Sequence, residues 1–156
     1  MASSDLFNAG KQAIMNRLAL GVSLLLLFSL SASAQDNRIS NDDVSAVRAT
    51  VTNYIQGYFT GDSQRMQQTM HPHYLKHVIH GDIPMREMTV ADMMKNVRRD
   101  GLPDMPAADK TEQVAVLDIV GDMASAKLVT PGWTDYMTLL KVNGEWKILS
   151  VVQEID

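Results

Sequence analysis

Trp133-Thr134-Asp135-Tyr136-Met137-Thr138-Leu139-Leu140-Lys141-Val142, then Asn143-Gly144, then Glu145-Trp146-Lys147-Ile148-Leu149-Ser150-Val151-Val152 is the stretch that decides the fold. Asn-Gly between two apolar runs is the strongest short hairpin signal, because a type I′ turn needs two positive φ angles that these residues tolerate. It predicts strands over 133–142 and 146–152. The same texture continues upstream. Residues 114–120 read as a strand, Gly121-Asp122 as a turn, and 124–129 as the next strand, with Pro131-Gly132 breaking the chain before Trp133. The last third is therefore a four-strand meander.

Further toward the N-terminus the apolar period changes from two to three and four. Val44, Val47, Val51, Tyr54, Ile55 and Tyr58 fall on one face of a helix of about four turns. Ser40-Asn41-Asp42-Asp43 supplies an N-cap and acids for its first turn, and Gly61-Asp62 breaks it. A shorter helix starts at Asp62 or Ser63, turns Met66 and Met70 inward, and stops at His71-Pro72, since a residue before proline avoids helical angles. Residues 74–80 and 83–88 read as a short hairpin turning at Gly81-Asp82. Thr89-Val90-Ala91-Asp92 is close to a capping box, and Val90, Met93, Met94 and Val97 give a third helix its stripe, closed by Gly101 and Pro103. Helices grouped with an antiparallel sheet imply an α+β domain and not a parallel βαβ fold.

Residues 1–34 do not read as part of this fold. Lys11 and Arg17 precede an apolar run over 18–30, and Ala32-Ser33-Ala34 has the small-x-small form of a signal-peptidase site. A run of that length is short of the roughly 20 apolar residues a membrane span needs. The expectation is an exported protein, periplasmic or secreted, touching the membrane only through its leader before cleavage. Met15 is an alternative start. Residues 35–40 read as a loose tail and 41–156 as the domain.

Removing Lys11, Arg17 and Asp5 with the leader takes the formal net charge from −4 to −5. That excludes the basic footprint of a nucleic-acid binder. The absence of cysteine excludes disulfides, zinc–thiolate sites and thiol nucleophiles, so packing alone must hold the domain. Eleven methionines suit an adaptable apolar interior.

Tyr54-Ile55-x-Gly57-Tyr58 with Gly61-Asp62, Met70-His71-Pro72, Gly121-Asp122-x-Ala124-Ser125-Ala126-Lys127, Thr134-Asp135-Tyr136-x-Thr138-Leu139-Leu140-Lys141 and the closing hairpin over 142–148 occur in one order. Together they resemble the putative lumazine-binding family of the nuclear transport factor 2-like superfamily, to which SnoaL-like and ketosteroid isomerase-like proteins belong. The resemblance implies a cone of three N-terminal helices packed on a strongly curved antiparallel sheet, with an apolar pocket inside. It also implies a homodimer formed through the sheet's outer face. It implies no reaction, because the superfamily holds isomerases, dehydratases and non-catalytic binding domains.

The resemblance makes His71, at the mouth of the implied cone, the first functional candidate, with Asp135 as the carboxylate to meet it. Such a pair can move a proton, since a carboxylate fixes the imidazole tautomer and raises its basicity. A capping role for His71 and a backbone-accepting role for Asp135 are the structural alternative. Tyr54, Tyr58, Trp133 and Tyr136 are the aromatic candidates for a pocket wall, whereas Trp146 in the closing strand reads as core. All four histidines, His71, His73, His77 and His80, lie within ten residues. On a strand the first three share a face and His80 points away; solvated histidines explain the cluster as simply as metal does, so neither metal nor cofactor is assigned. The expected function is binding of a small apolar or aromatic molecule. The alternatives are an isomerase or dehydratase using His71 and Asp135, and a dimeric scaffold.

Overall fold

The computed structural model describes residues 40–100, 106 and 108–156; the predicted leader, the tail over 35–39 and the closing Gly101 and Pro103 lie outside the described residues. The elements are α1 (Asn41–Thr60), α2 (Ser63–Thr69), β1 (Met70–His80), β2 (Ile83–Thr89), α3 (Val90–Asp100), β3 (Gln113–Val120), β4 (Met123–Thr130), β5 (Trp133–Val142) and β6 (Glu145–Ile155).

Each helix starts where side chains satisfy its free N–H groups. Ser40 accepts from the Asp42 N–H at the head of α1, and Asp62 accepts from the Arg65 N–H at the head of α2. Thr89 and Asp92 cap α3 reciprocally, the Asp92 carboxylate accepting from both the N–H and the hydroxyl of Thr89. The first helix is longer than its periodicity predicts. It runs through Gly57 to Thr60 and ends on Gly61 at φ 71°. Gly57 is required by packing: a Cβ there would lie 2.8 Å from the Met66 backbone nitrogen, so only glycine lets α2 fold back so tightly.

The sheet has six strands in the order β2-β1-β6-β5-β4-β3. The Asn143-Gly144 turn takes φ values of 52° and 83°, and β5 and β6 pair antiparallel from Val142↔Glu145 to Trp133↔Ile155. Two expectations need correcting. The sheet is mixed, because β1 lies parallel to β6, with Lys76 opposite Val151. A parallel pair needs a long connection, and here α3 and four strands separate the partners in sequence. The β1–β2 hairpin comes between α2 and α3, in the order read from the sequence, so the three described helices are not all N-terminal to the sheet. Register shifts in β1, β3 and between β5 and β6 bend the sheet around the helices.

Inside the bend, α1 runs along β6. Near the hairpin turn Val47, Val51, Leu139 and Ile148 are fully buried together, with buried Ala124 opposite Leu139 on β4. Trp146 joins them and donates its indole N–H to Asp43 at 3.0 Å, pinning the start of α1 to the hairpin. At the other end of α1, Tyr58 and Phe59 set their rings edge-on to Trp133, 6.1 and 6.3 Å away. Here the interior opens.

Candidate functional site

The opening is a cavity of about 180 Å³ between α1, α3 and the inner faces of β1, β5 and β6. Strand alternation builds its floor. Tyr74, Lys76 and Val78 are the inward positions of β1, Trp133 and Asp135 those of β5, and Gln153 and Ile155 those of β6. Asp135 faces Gln153 directly across the β5–β6 ladder, and Gln153 pairs in turn with Val78. Lys76, one pleat away, reaches across β6 to the carboxylate. Tyr54, Tyr58 and Met66 come from the first two helices, Met93 and Asn96 from α3, and exposed Arg86 from β2 stands at the rim.

The centre of the site is a buried ion pair. Lys76 Nζ lies 3.3 Å from Asp135 Oδ1, with the lysine 5% and the aspartate 0% exposed. The approach is close enough for charge attraction but off the line of a hydrogen bond, and neither Asp135 oxygen has a well-formed donor. Burial pushes the Asp135 carboxyl above its usual range, while Lys76, and to a lesser degree Gln153 and Trp133, draw it back down. Burial likewise pulls the Lys76 ammonium below its usual value, opposed by Asp135. Beneath the lysine, at 5.9 Å, is the ring of Tyr54, whose hydroxyl is 2.8 Å from that of Tyr74. Both phenols are pushed upward by burial and stay neutral.

Of the residues singled out from sequence, Tyr54, Tyr58, Trp133 and Asp135 meet at this cavity. Tyr136 does not. As the neighbour of inward-facing Asp135 on one strand it must point outward, where it is 53% exposed with Lys127 over its ring. His71 does not meet Asp135 either. It stands at the start of β1, within the register break against β6, and its Nδ1 accepts the backbone N–H of His73. The carboxylate's partner is Lys76. His77 is outward-facing with Nε2 3.4 Å from Glu87, and His80 is exposed. Among the described residues no three histidine or carboxylate side chains gather as metal ligands.

Lys76 and Gln153 are the site residues that the sequence reading missed. The signal was present in Tyr74-x-Lys76-x-Val78, where a lysine takes an inward position between two apolar ones. A second hollow, of about 440 Å³, lies between the outer side of α1 and the β5–β6 turn. It is more open, and its charges are already engaged: Arg65 with Asn53, and Lys147 with Glu145 and the Gln68 carbonyl.

Residues 42–152 match the family described as Putative lumazine-binding. The chain belongs to that family. The matched segment holds every side chain of the cavity named above except Gln153 and Ile155. Solved structures support the fold. A nuclear transport factor 2-like protein of unknown function from Shewanella baltica OS155 superposes with a TM-score of 0.59 at 21% identity, over 75% of this chain and 96% of that one. One from Methylobacillus flagellatus KT gives 0.61 at 21% identity, over 77% and 97%. A third, with a cystatin-like fold, from Novosphingobium aromaticivorans, gives 0.54 at 13% identity, over 87% of both chains. No curated protein matches the sequence.

Proposed function

We propose that this domain binds a compact apolar or aromatic molecule carrying one polar edge, held in the cavity over Asp135 and Lys76. The observation that carries this reading is Asp135: a fully buried carboxylate, beside a cavity, with neither oxygen in a hydrogen bond. Leaving a buried acceptor unsatisfied costs about 1–3 kcal/mol, which a ligand donor would remove. Size limits the ligand. A cavity of about 150 Å³ is enough for benzene, so about 180 Å³ accommodates one ring with a small substituent. The family's description is itself one of ligand binding and agrees with this reading.

In the same reading the domain acts after export, as its leader sequence suggests, and pairs with a second copy through the outer face of the sheet. Tyr136 and Val152, opposite each other on β5 and β6 and 53% and 44% exposed, form the centre of that face. A second reading, acid–base catalysis of the isomerase or dehydratase type, is favoured by the raised pKa of Asp135, which brings a carboxylate closer to the working range of a general base. In that case Lys76, and not His71, is the group beside it.

Native mass spectrometry of the protein purified from its own host tests the binding reading. A small molecule retained by the wild type and lost from Val78→Phe, which fills the cavity, is the expected result. An empty chain that also fails to bind millimolar benzyl alcohol would overturn it.

A further inference from the structure

Among the described lysines, Lys76 differs from the rest in kind. Lys141 pairs with Asp43, Lys147 with Glu145, and Lys127 lies over the exposed Tyr136 ring. Lys76 is buried on an inward strand position, lines the cavity, and has for company one carboxylate and the ring of Tyr54. A buried ion pair that served stability alone would need excellent geometry and further hydrogen bonds to offset its desolvation. This one has a 3.3 Å contact and no hydrogen bond on the carboxylate. An amine, a carboxylate beside it and an apolar chamber are the parts that carbonyl capture requires.

We propose that Lys76 holds a carbonyl-bearing ring compound in the cavity as an imine, with Asp135 carrying the protons. The proposal rests on the ligand-binding reading of the same cavity and names the ligand class: a small aromatic aldehyde or ketone. Asp135 takes a proton from the Lys76 ammonium and frees the nitrogen lone pair. Nζ attacks the carbonyl carbon, the C=O π pair moves onto oxygen, and Asp135 returns the proton there to give a carbinolamine. A second proton passes from nitrogen through Asp135 to the hydroxyl, the C–O bond breaks, and the nitrogen lone pair forms the C=N bond as water leaves. The two hydrogens lost by the ammonium depart in that water, so atoms and charge balance and nothing is oxidised or reduced. The product iminium keeps a single positive charge beside Asp135, so the ion pair survives capture. Burial favours the neutral amine that must attack, because desolvation opposes the ammonium.

The test uses the full chain with benzaldehyde and sodium cyanoborohydride, followed by peptide mapping, with benzyl alcohol as the same ring lacking the carbonyl. The expected result is one added benzyl group, on Lys76, formed at least about tenfold faster than on Lys127, because the cavity holds the aldehyde against the Lys76 amine. Excess benzyl alcohol should block it, and Lys76→Arg should abolish it. Where that variant fails to fold, the site selectivity measured on the wild type decides alone. Benzyl alcohol bound in the cavity with Lys76 unlabelled would overturn imine capture and leave the pocket reading standing. Failure of both compounds to bind would overturn the two together.

Discussion

The two ends of the cone are built from the same elements, α1 over β5 and β6, yet they differ in what they bury. At the hairpin end, Val47, Val51, Leu139, Ile148 and Trp146 fill the space, and the one indole N–H is answered by Asp43. At the Trp133 end the same strands bury Lys76, Asp135 and Gln153 around a hollow, with the carboxylate left short of donors. One end is what folding requires of a chain without disulfides. The other spends stability, since buried polar groups without complete partners are costly. That asymmetry is what the proposed binding site rests on.

The contrast can be broken most strongly by splitting the ion pair. Asp135→Leu, which strands Lys76, is expected to lower unfolding free energy by about 3–5 kcal/mol, whereas Lys76→Met with Asp135→Leu should be neutral or stabilising by about 1–4 kcal/mol. Urea unfolding of the single and double variants measures both. At the packed end Leu139→Ala should cost about 2–5 kcal/mol, and no second substitution of a charged partner should rescue it. Tyr74→Phe, which removes the hydroxyl partnering Tyr54, should cost about 1–3 kcal/mol in the same assay.

The smallest effect is a pH dependence that sharpens the comparison. The Asp135 pKa is raised on folding from 3.8, so its contribution to stability is full below that value and is lost as pH rises through the folded pKa. The Lys76 pKa is lowered from 10.5, so its contribution is full above that value and is lost as pH falls through the folded pKa. The double variant's advantage over the wild type should therefore be greatest between the two folded values and shrink toward pH 3.8 and toward pH 10.5. An advantage that stays flat across this range would show that the pair is not desolvated as described.

Much of the fold was legible because local chemistry fixed it. The Asn143-Gly144 turn, the Thr89–Asp92 cap and the spacing of Val47, Val51, Tyr54 and Ile55 act over a few residues and need no tertiary information. The parallel pairing of β1 with β6 was not legible, because nothing near His71 or Val78 records which strand from the far end of the chain lies alongside. The site divides the same way. Tyr54 and Tyr58 were picked out as aromatics on one helix face, Trp133 as an aromatic and Asp135 as a carboxylate, by residue type and not by strand face. Tyr136 was misplaced because two adjacent residues on one strand cannot share a face. His71 drew attention as a histidine before a proline, but the register break after Met70 keeps it out of the inward row that Lys76 occupies. Lysine is almost never fully buried unless paired, and its partner is 59 residues away in sequence.

The chain holds two tryptophans, one at each end of the cone. Two-dimensional proton–nitrogen NMR of their indole N–H signals during titration with benzyl alcohol tests the central claim most directly. The Trp133 signal should move saturably while that of Trp146, held by Asp43 in the packed end, stays in place. Both signals fixed at saturating ligand, or both moving together, would contradict it.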